Sequence, residues 1–300
     1  MLDQLPLELA VHALRVSAEV LLHLDRTTVC NIARSSAIGY NAVIPILYRT
    51  LIVGQKYRAV RRVFRKSPAA AAGATVVRHS LLAGPPSQRL CPHVRRVFFN
   101  TFAFSEVVYL PALVNLQAII SLPSGNNFLL QDMFSALPSS LRHFHVLTMV
   151  YPAILPNTVT HVSYYIHLSS ASSFEEFDVY MKIVFGDALT HVALELNQPV
   201  ATDCKVQFTA LLRSLLMREP ASRIQAPVVL RLYNAAVSVD SQAMISAAIA
   251  ALGSADLCNR VVIWNDHRHV EGTAGDVRTS LEDAIFGRTP WTESNSLDGT

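Results

Sequence analysis

A short pattern of apolar residues recurs along the middle of the chain and limits how this region can fold. In each copy an apolar residue is followed by a second one three positions later and by a third two positions after that. A strand of this kind buries its apolar positions only against neighbouring copies, so we expect the copies to stack around one shared core. The copies are Val94, Val97 and Phe99; Leu113, Leu116 and Ala118; Leu141, Phe144 and Val146; Val159, Val162 and Tyr164; and Leu189, Val192 and Leu194.

Histidine recurs at one position of this pattern. The alignment places His143, His161 and His191 between the first and second apolar residues of their copies, and His145 lies two residues further along its strand. Because side chains alternate across a strand, we expect a ladder of histidines on one open face. Three interpretations stay open: a metal or pH-sensing site, a mixed polar recognition face, and ordinary solvated surface. The predicted recognition face comprises Arg96, Asn115, Gln117, His143, His145, His161 and His191.

Longer elements alternate after residue 199. Their pattern favours parallel strands covered by helices, which would continue the stacked arrangement. Asp240 is the predicted cap of one helix, and Gly253 is its predicted end. The predicted elements are helices at 203–218, 241–252 and 276–286 and strands at 228–232 and 260–264.

The first fifty residues predict about three short helices. Asp25 and the threonines after it supply capping side chains for a helix that runs toward Gly39, where we expect it to end. A further apolar patch at 43–48 is interrupted by Pro45. Three short helices bury little apolar surface among themselves. We therefore expect this segment to pack against a partner or against the following domain.

Four segments of this region resemble an F-box of the fungal type. They are LPLEL at 5–9, LLHLD at 21–25, NIARSS at 31–36 and LYRTLIV at 47–53. The stretch 15–19 resembles a small insertion, and the tryptophan common near the end of many F-boxes is absent. The repeats, which begin 18 to 30 residues apart, resemble a degenerate leucine-rich-repeat solenoid without its asparagine ladder.

The resemblance implies a fold and a role. The fold class is α/β, with a helical F-box-like module at 1–53 followed by an irregular leucine-rich-repeat-like solenoid at 54–300, whose tail at 288–300 we expect to fray. The role is that of a substrate adaptor in an SCF-type ubiquitin ligase, which docks a Skp1-like protein and selects an unknown protein substrate. The resemblance assigns Skp1-like partner binding to Leu5, Pro6, Leu9, Leu21, Leu22, Leu24 and Ile32.

Composition and motifs argue against several other classes of protein. A net charge of +3 falls short of the basic balance expected of a nucleic-acid partner. Four widely spaced cysteines suggest neither zinc nor disulfides and favour a reducing, intracellular compartment, cytoplasmic or nuclear. No stretch reaches the length of a membrane span, so we predict a protein that does not enter the membrane.

We also predict a protein that is not an enzyme and needs no cofactor or metal, because the sequence carries no nucleotide-binding or nucleophile motif. Two alternatives stay open. One is an interaction scaffold that has lost ligase docking. The other is an α/β enzyme that uses Asp266, His267 and His269 after a buried strand. A basic helix predicted at 56–66 has two interpretations, an acidic-partner site or a solvated helix face.

Overall fold

The computed structural model describes residues 24, 26–53, 74–77, 91–99, 112–121, 137–146, 157–166, 188–196, 204–217, 227–233 and 238–266. Several predictions fall outside these ranges and stay predictions. They are the helices at 56–66 and 276–286, the tail at 288–300, His267 and His269, and the partner-binding residues Leu5, Pro6, Leu9, Leu21 and Leu22.

Two helices open the described part of the chain, and strands make up most of the elements after them. The helices are α1 (Arg26–Ser35), α2 (Ala37–Leu47), α3 (Lys205–Leu216), α4 (Val239–Ala250) and α5 (Ala255–Asn259). The strands are β1 (Thr50–Val53), β2 (Ala74–Val77), β3 (Arg96–Phe99), β4 (Ala118–Ser121), β5 (His143–Val146), β6 (His161–Ile166), β7 (His191–Leu196), β8 (Val228–Tyr233) and β9 (Val261–Asp266).

The nine strands form one sheet in the order β2-β1-β3-β4-β5-β6-β7-β8-β9, and every neighbouring pair is parallel. From β4 onward each strand lies beside the one that precedes it in the chain. The predicted α/β class and the predicted parallel pairing are therefore confirmed. Within the part of the chain that the structure describes, no helix is long and apolar enough to cross a membrane.

The apolar pattern forms a single buried row across the sheet. Its members pair in register from strand to strand and belong to one core, which α3 and α4 also cover. The row contains Leu51, Val97, Ile119, Phe144, Val162 and Val192.

One of the five copies is placed three residues too early in the sequence alignment. The register pairs Val97 with Ile119, so the strand copy on β4 begins at Leu116 and not at Leu113. Both leucines are buried and both have an apolar residue three positions later, so apolar spacing alone does not distinguish them. As a consequence Ala118 does not belong to the core row. It lies on the opposite face, half-buried.

The later elements agree with the sequence, apart from one cap. Helix α3, helix α4 and strands β8 and β9 all lie where the pattern predicts them. The cap of α4, however, is Ser238, whose hydroxyl accepts a hydrogen bond from the Ser241 amide, and Asp240 lies inside the first turn. Serine can cap as well as aspartate, and the chain enters the helix two residues before the predicted cap. Gly253 has a φ of 77°, which suits the end of a helix.

The helix pair α1–α2 corrects the prediction that a helix ends at Gly39. The chain breaks at Ser36, whose side chain caps α2 by accepting a 2.9 Å hydrogen bond from the Gly39 amide. Gly39 allows a close approach, because a Cβ there would lie 2.3 Å from the Ile32 carbonyl oxygen. Pro45 does not interrupt α2 but lies near its end, exposed to solvent. A small core of Val29, Val43, Ile46 and Leu47 joins the two helices.

Candidate functional site

The predicted ladder of histidines is present at the start of three neighbouring strands. His143, His161 and His191 pair in register on β5, β6 and β7. The rings of His143 and His161 stack with centroids 4.4 Å apart and an interplanar angle of 24°, and those of His161 and His191 stack at 3.9 Å and 10°. Equivalent positions on neighbouring strands are about 4.8 Å apart, so identical planar side chains stack readily.

Threonines orient two of these rings. The Thr160 hydroxyl lies 2.7 Å from His161 Nδ1, and the Thr190 hydroxyl lies 2.8 Å from His191 Nδ1. The backbone is also held at this point, because the Thr160 carbonyl accepts hydrogen bonds from the amides of both Thr190 and His191. The starts of β6 and β7 are therefore fixed through both side chains and backbone.

The stacked histidines are neutral at neutral pH. Burial lowers the pKa of His143 to about 4, assisted by the positive charges of Arg96, His191 and Arg142. Burial, His143 and His191 together lower the pKa of His161 to about 3, and burial lowers that of His191. A sensor for pH near 6.5 is therefore not favoured. Within the described ranges, no group of three or more histidine, cysteine, aspartate or glutamate residues has the arrangement of a metal site.

The histidine ladder continues across the sheet as a row of other residues, which we call the entry row. All of its members occupy one register position and point to the face opposite the main core. The row runs Thr50, Arg96, Ala118, His143, His161, His191.

Basic residues concentrate along one part of the entry row, at the starts of β1, β3 and β5. Arg49, Arg95 and Arg142 each immediately precede a strand of the row, and Arg96 belongs to it. Each of the three preceding residues uses its carbonyl oxygen to accept two amide hydrogen bonds from the next strand of the sheet. The backbone at these positions is therefore fixed. The four cationic side chains lie along the edge of the sheet where the strands begin.

On β1 and β3, two polar atoms of the row are buried without a hydrogen-bond partner. They are the Thr50 hydroxyl oxygen and Arg96 Nη1. The Thr50 residue is fully buried, and burial followed by the charge of Arg49 lowers the pKa of Arg96 to about 10. Buried donors that lack a partner are rare in folded proteins and indicate strain or a missing ligand.

Two predicted members of the recognition face lie elsewhere. Asn115 is in the turn before β4, and its amide group donates a 2.9 Å hydrogen bond to the Pro92 carbonyl. Gln117 is exposed just before β4, and its carbonyl accepts hydrogen bonds from the amides of Arg142 and His143. The residue that occupies the row on β4 is Ala118, because the sequence alignment placed this copy three residues early.

The side of the sheet that carries the entry row also carries a second row of side chains, two residues further along each strand. The expectation of an open face is wrong for this second row. His145 occupies that row on β5, with Ser163 as its register partner on β6. The other described members are buried, so this face is a second packed surface and not solvated. These buried members are Ile52, Phe98, Ile120, Ser163, Ala193 and Val229.

A buried charged cluster adjoins this second row. Glu195 and Arg231, each 1% exposed, are register partners on β7 and β8. Glu195 Oε1 lies 2.7 Å from His145 Nε2 and 4.0 Å from Arg231 Nη1, and it accepts a 2.5 Å hydrogen bond from the Ser163 hydroxyl. The guanidinium carbon of Arg231 lies 4.1 Å above the Trp264 ring. We call Glu195, His145, Arg231 and Ser163 the Glu195 cluster.

The positive groups of the Glu195 cluster compensate the negative charge of Glu195. Burial alone would raise the pKa of Glu195, but the charge and hydrogen bond of His145, the charge of Arg231 and the Ser163 hydrogen bond together hold that pKa well below its ordinary value. Sequence reasoning missed Glu195 and Arg231. A usable signal exists, because HVALEL and VVLRLY each carry one charge, of opposite sign, within an apolar strand.

The cluster lacks the order of a nucleophilic triad. In such a triad the histidine stands between the hydroxyl and the carboxylate, so that it can remove the hydroxyl proton. Here the carboxylate of Glu195 stands between Ser163 and His145. The contacts therefore satisfy a buried carboxylate and do not activate the serine.

The region proposed for an α/β enzyme is only partly described. Asp266 is the last residue of β9, which lies at the edge of the sheet. No known protein family, curated protein or solved structure matches this chain. The geometry of the described residues is therefore the basis for assigning a function.

Proposed function

We propose that this protein is the substrate-recognition adaptor of an SCF-type ubiquitin ligase. Its N-terminal helices would dock a Skp1-like protein, and its sheet domain would bind a target protein. The observation that carries the proposal is the direct passage of the helix pair α1–α2 into the first strand pair of a sheet whose later strands follow one another in parallel. A compact helical module thus joins a broad repeat surface with only Tyr48 and Arg49 between α2 and β1.

The helix pair has a core of its own and an apolar outer surface. Leu24 and Ile32, which the F-box resemblance assigns to docking, pack instead against the small core of the pair. Ile38 and Tyr40, by contrast, are 36% and 49% exposed on α2. Exposed apolar side chains are available for contact with another protein. We therefore extend the proposed docking set to these two residues, beside the predicted positions that precede residue 24.

The sheet domain supports the recognition half of the proposal. Each of β3 to β7 carries one copy of the apolar pattern and shares its core with the next strand. We propose that this is an irregular leucine-rich-repeat-like solenoid, an architecture that presents extended binding surfaces. An adaptor of this kind catalyses no bond formation. It raises the effective concentration of target lysines near a ubiquitin-charged enzyme.

Co-expression with a Skp1-type protein tests the docking half. The double variant Pro6→Ala, Leu9→Asp and the separate double variant Ile38→Asp, Tyr40→Asp should abolish co-purification while the protein stays folded. Val206→Asp is the matched control, because Val206 is 75% exposed on the distant helix α3. Retained co-purification in both double variants would contradict the adaptor proposal.

The second candidate function is a recognition scaffold that does not dock a ligase. The inward packing of Leu24 and Ile32 favours it, because it removes two residues from the docking set that the resemblance assigns. The same experiment separates the two functions. A wild-type protein that folds but does not co-purify with any Skp1-type protein supports the scaffold.

A further inference from the structure

Three features of the entry row lie on consecutive strands: a buried hydroxyl without a hydrogen-bond partner on β1, a buried guanidinium nitrogen without one on β3, and the small side chain of Ala118 on β4. We propose that Thr50 and Arg96 form a binding site for a single oxyanion carried by an acidic segment of a partner protein. This inference deepens the recognition half of the proposed function and rests on it, whereas it is independent of docking to a Skp1-like protein.

The two unpartnered donors lie side by side on neighbouring strands. Thr50 and Arg96 are register partners on β1 and β3, so their side chains leave the same face on strands about 4.8 Å apart. A hydroxyl donor and a guanidinium donor at this separation suit the oxygens of one carboxylate or phosphate group. An oxyanion bound there would satisfy both buried atoms at once.

The charge around these donors is positive. Arg49, Arg95 and Arg142 lie just before β1, β3 and β5, and Arg96 is the first residue of β3. None of the four is paired with a carboxylate in the described part of the chain. Backbone carbonyls accept hydrogen bonds from Arg95 and Arg142, but these groups carry no net charge. Arg96 stays protonated at neutral pH, because its pKa is lowered only to about 10. A bound anion would relieve the repulsion between Arg49 and Arg96.

The entry row has a notch at Ala118. This residue stands between Arg96 on β3 and His143 on β5, and its methyl group fills far less space than either neighbour. Ala118 is half-buried and His143 is half-buried, so this notch is not closed by the described residues.

The observations favour an acidic protein segment over a nucleic acid. The site has one pair of unpartnered donors, which suits one oxyanion, whereas nucleic acids bind through many phosphate contacts to an extended basic surface. The net charge of the whole chain is only +3. A protein segment that offers one buried carboxylate and a few peripheral ones matches the single site and the surrounding arginines.

The test measures the binding of a fluorescein-labelled hexaglutamate peptide to the full chain by fluorescence anisotropy at low salt. Arg96→Gln should weaken binding at least about tenfold, because a charge-assisted hydrogen bond contributes about an order of magnitude or more to affinity. Thr50→Val should weaken it less, and Arg96→Lys should fall between wild type and Arg96→Gln. Lys205→Gln is the matched control, since it removes an exposed charge on α3, and it should change affinity less than about twofold.

A second readout locates the peptide. The pKa of His143, followed by NMR, should rise when the peptide saturates the protein, because a nearby anion stabilises the imidazolium. An unchanged His143 pKa would overturn the placement. Equal binding of a hexaglutamine peptide, or an Arg96→Gln effect no larger than that of Lys205→Gln in a protein with an unchanged melting temperature, would overturn the anion site.

Two further binding measurements identify the source of the anion. Competition by inorganic phosphate at millimolar concentration supports an oxyanion site. Tighter binding of a twelve-residue oligothymidylate, with the same dependence on Arg96, would overturn the assignment to a protein segment. Arg96→Gln should still co-purify with a Skp1-type protein, so a failure of ligase docking and a failure of the anion site give different results.

Discussion

Two arginines on the same face of the sheet have different electrostatic surroundings. Arg231 on β8 has the Glu195 carboxylate at 4.0 Å and the Trp264 ring at 4.1 Å. Arg96 on β3 has a buried Nη1 without a hydrogen-bond partner, and the charge of Arg49 opposes its own. The first arginine is compensated inside the fold, whereas the second leaves its charge for a group from outside.

This difference separates a structural role from a binding role. Removing one member of a compensated buried pair leaves the other charge unpaired and is strongly destabilising. Removing an uncompensated buried charge lets the fold relax, because no partner is left behind. Stability measurements can therefore distinguish the two arginines without knowledge of the ligand.

The largest effect is expected for Glu195→Gln. The substitution keeps the shape of the side chain but removes the Glu195 charge from beside the buried Arg231, so the free energy of unfolding should fall by about 3–5 kcal/mol. Urea denaturation measures this change. Asp256→Asn, which neutralises an exposed carboxylate on α5, should change stability by less than about 0.5 kcal/mol. A loss below about 1 kcal/mol for Glu195→Gln would show that the Glu195 cluster is not compensated as described.

The next effect is a loss of stability in acid to which two groups of residues contribute, beginning at different pH values. The folded-state pKa values of His143 and His161 are about 4 and about 3, against 6.5 for the free side chain. As the pH falls below 6.5 the unfolded chain takes up protons that the folded chain does not, so stability decreases. We expect a loss of about 2 kcal/mol in total between pH 6.5 and 5, allowing for solvent screening of half-buried groups.

Glu195 acts in a window that begins at a lower pH. Its folded-state pKa is lowered, so its contribution is complete above the unfolded value of 4.5 and decreases as the pH falls below it. The double variant His143→Gln, His161→Gln should remove most of the loss between pH 6.5 and 5 and retain the Glu195 contribution below pH 4.5. Urea titrations at several pH values measure both windows, and an acid profile unchanged by the double variant would contradict the assignment.

A smaller effect is expected for Ser163→Ala. The Ser163 hydroxyl donates a hydrogen bond to Glu195, which keeps its contacts with His145 and Arg231 in the variant. The loss should be about 1.5 kcal/mol, at the lower end for a hydrogen bond to a charged group. Ser238→Ala is the comparison, because it removes the hydrogen bond that caps α4. The free energy of unfolding should fall by about 1 kcal/mol in this variant.

The smallest effect, and the most direct test of the difference between the two arginines, is expected for Arg96→Met. A methionine of similar length removes a half-buried charge that no carboxylate of the described residues compensates, so stability should change by less than about 0.5 kcal/mol or increase. Arg231→Met should lower stability by about 3 kcal/mol or more, because it leaves Glu195 without that counter-charge. Equal losses in thermal or urea unfolding would remove the distinction.

Apolar periodicity predicts the parallel strands, because a buried row needs an apolar residue at a fixed position of each copy. The positions of β8, β9, α3 and α4 follow from similar patterns and from clear end signals such as Gly253. The register of β4 does not follow, since Leu113 and Leu116 satisfy the same spacing. The role of Gly39 is also hidden, because a glycine that ends a helix and a glycine that permits close packing look alike in sequence.

The order of residues along the chain is enough to place His143, His161 and His191 at one shared position, since they occupy equivalent places in an apolar pattern. Their stacking as neutral imidazoles, and the continuation of their row to Arg96, depend on which strands become neighbours and are visible only in the folded protein. Burial and electrostatic interaction act between residues distant in the chain, such as Glu195 and His145. The sequence specifies the charges, and the pairing of strands determines which of them are compensated.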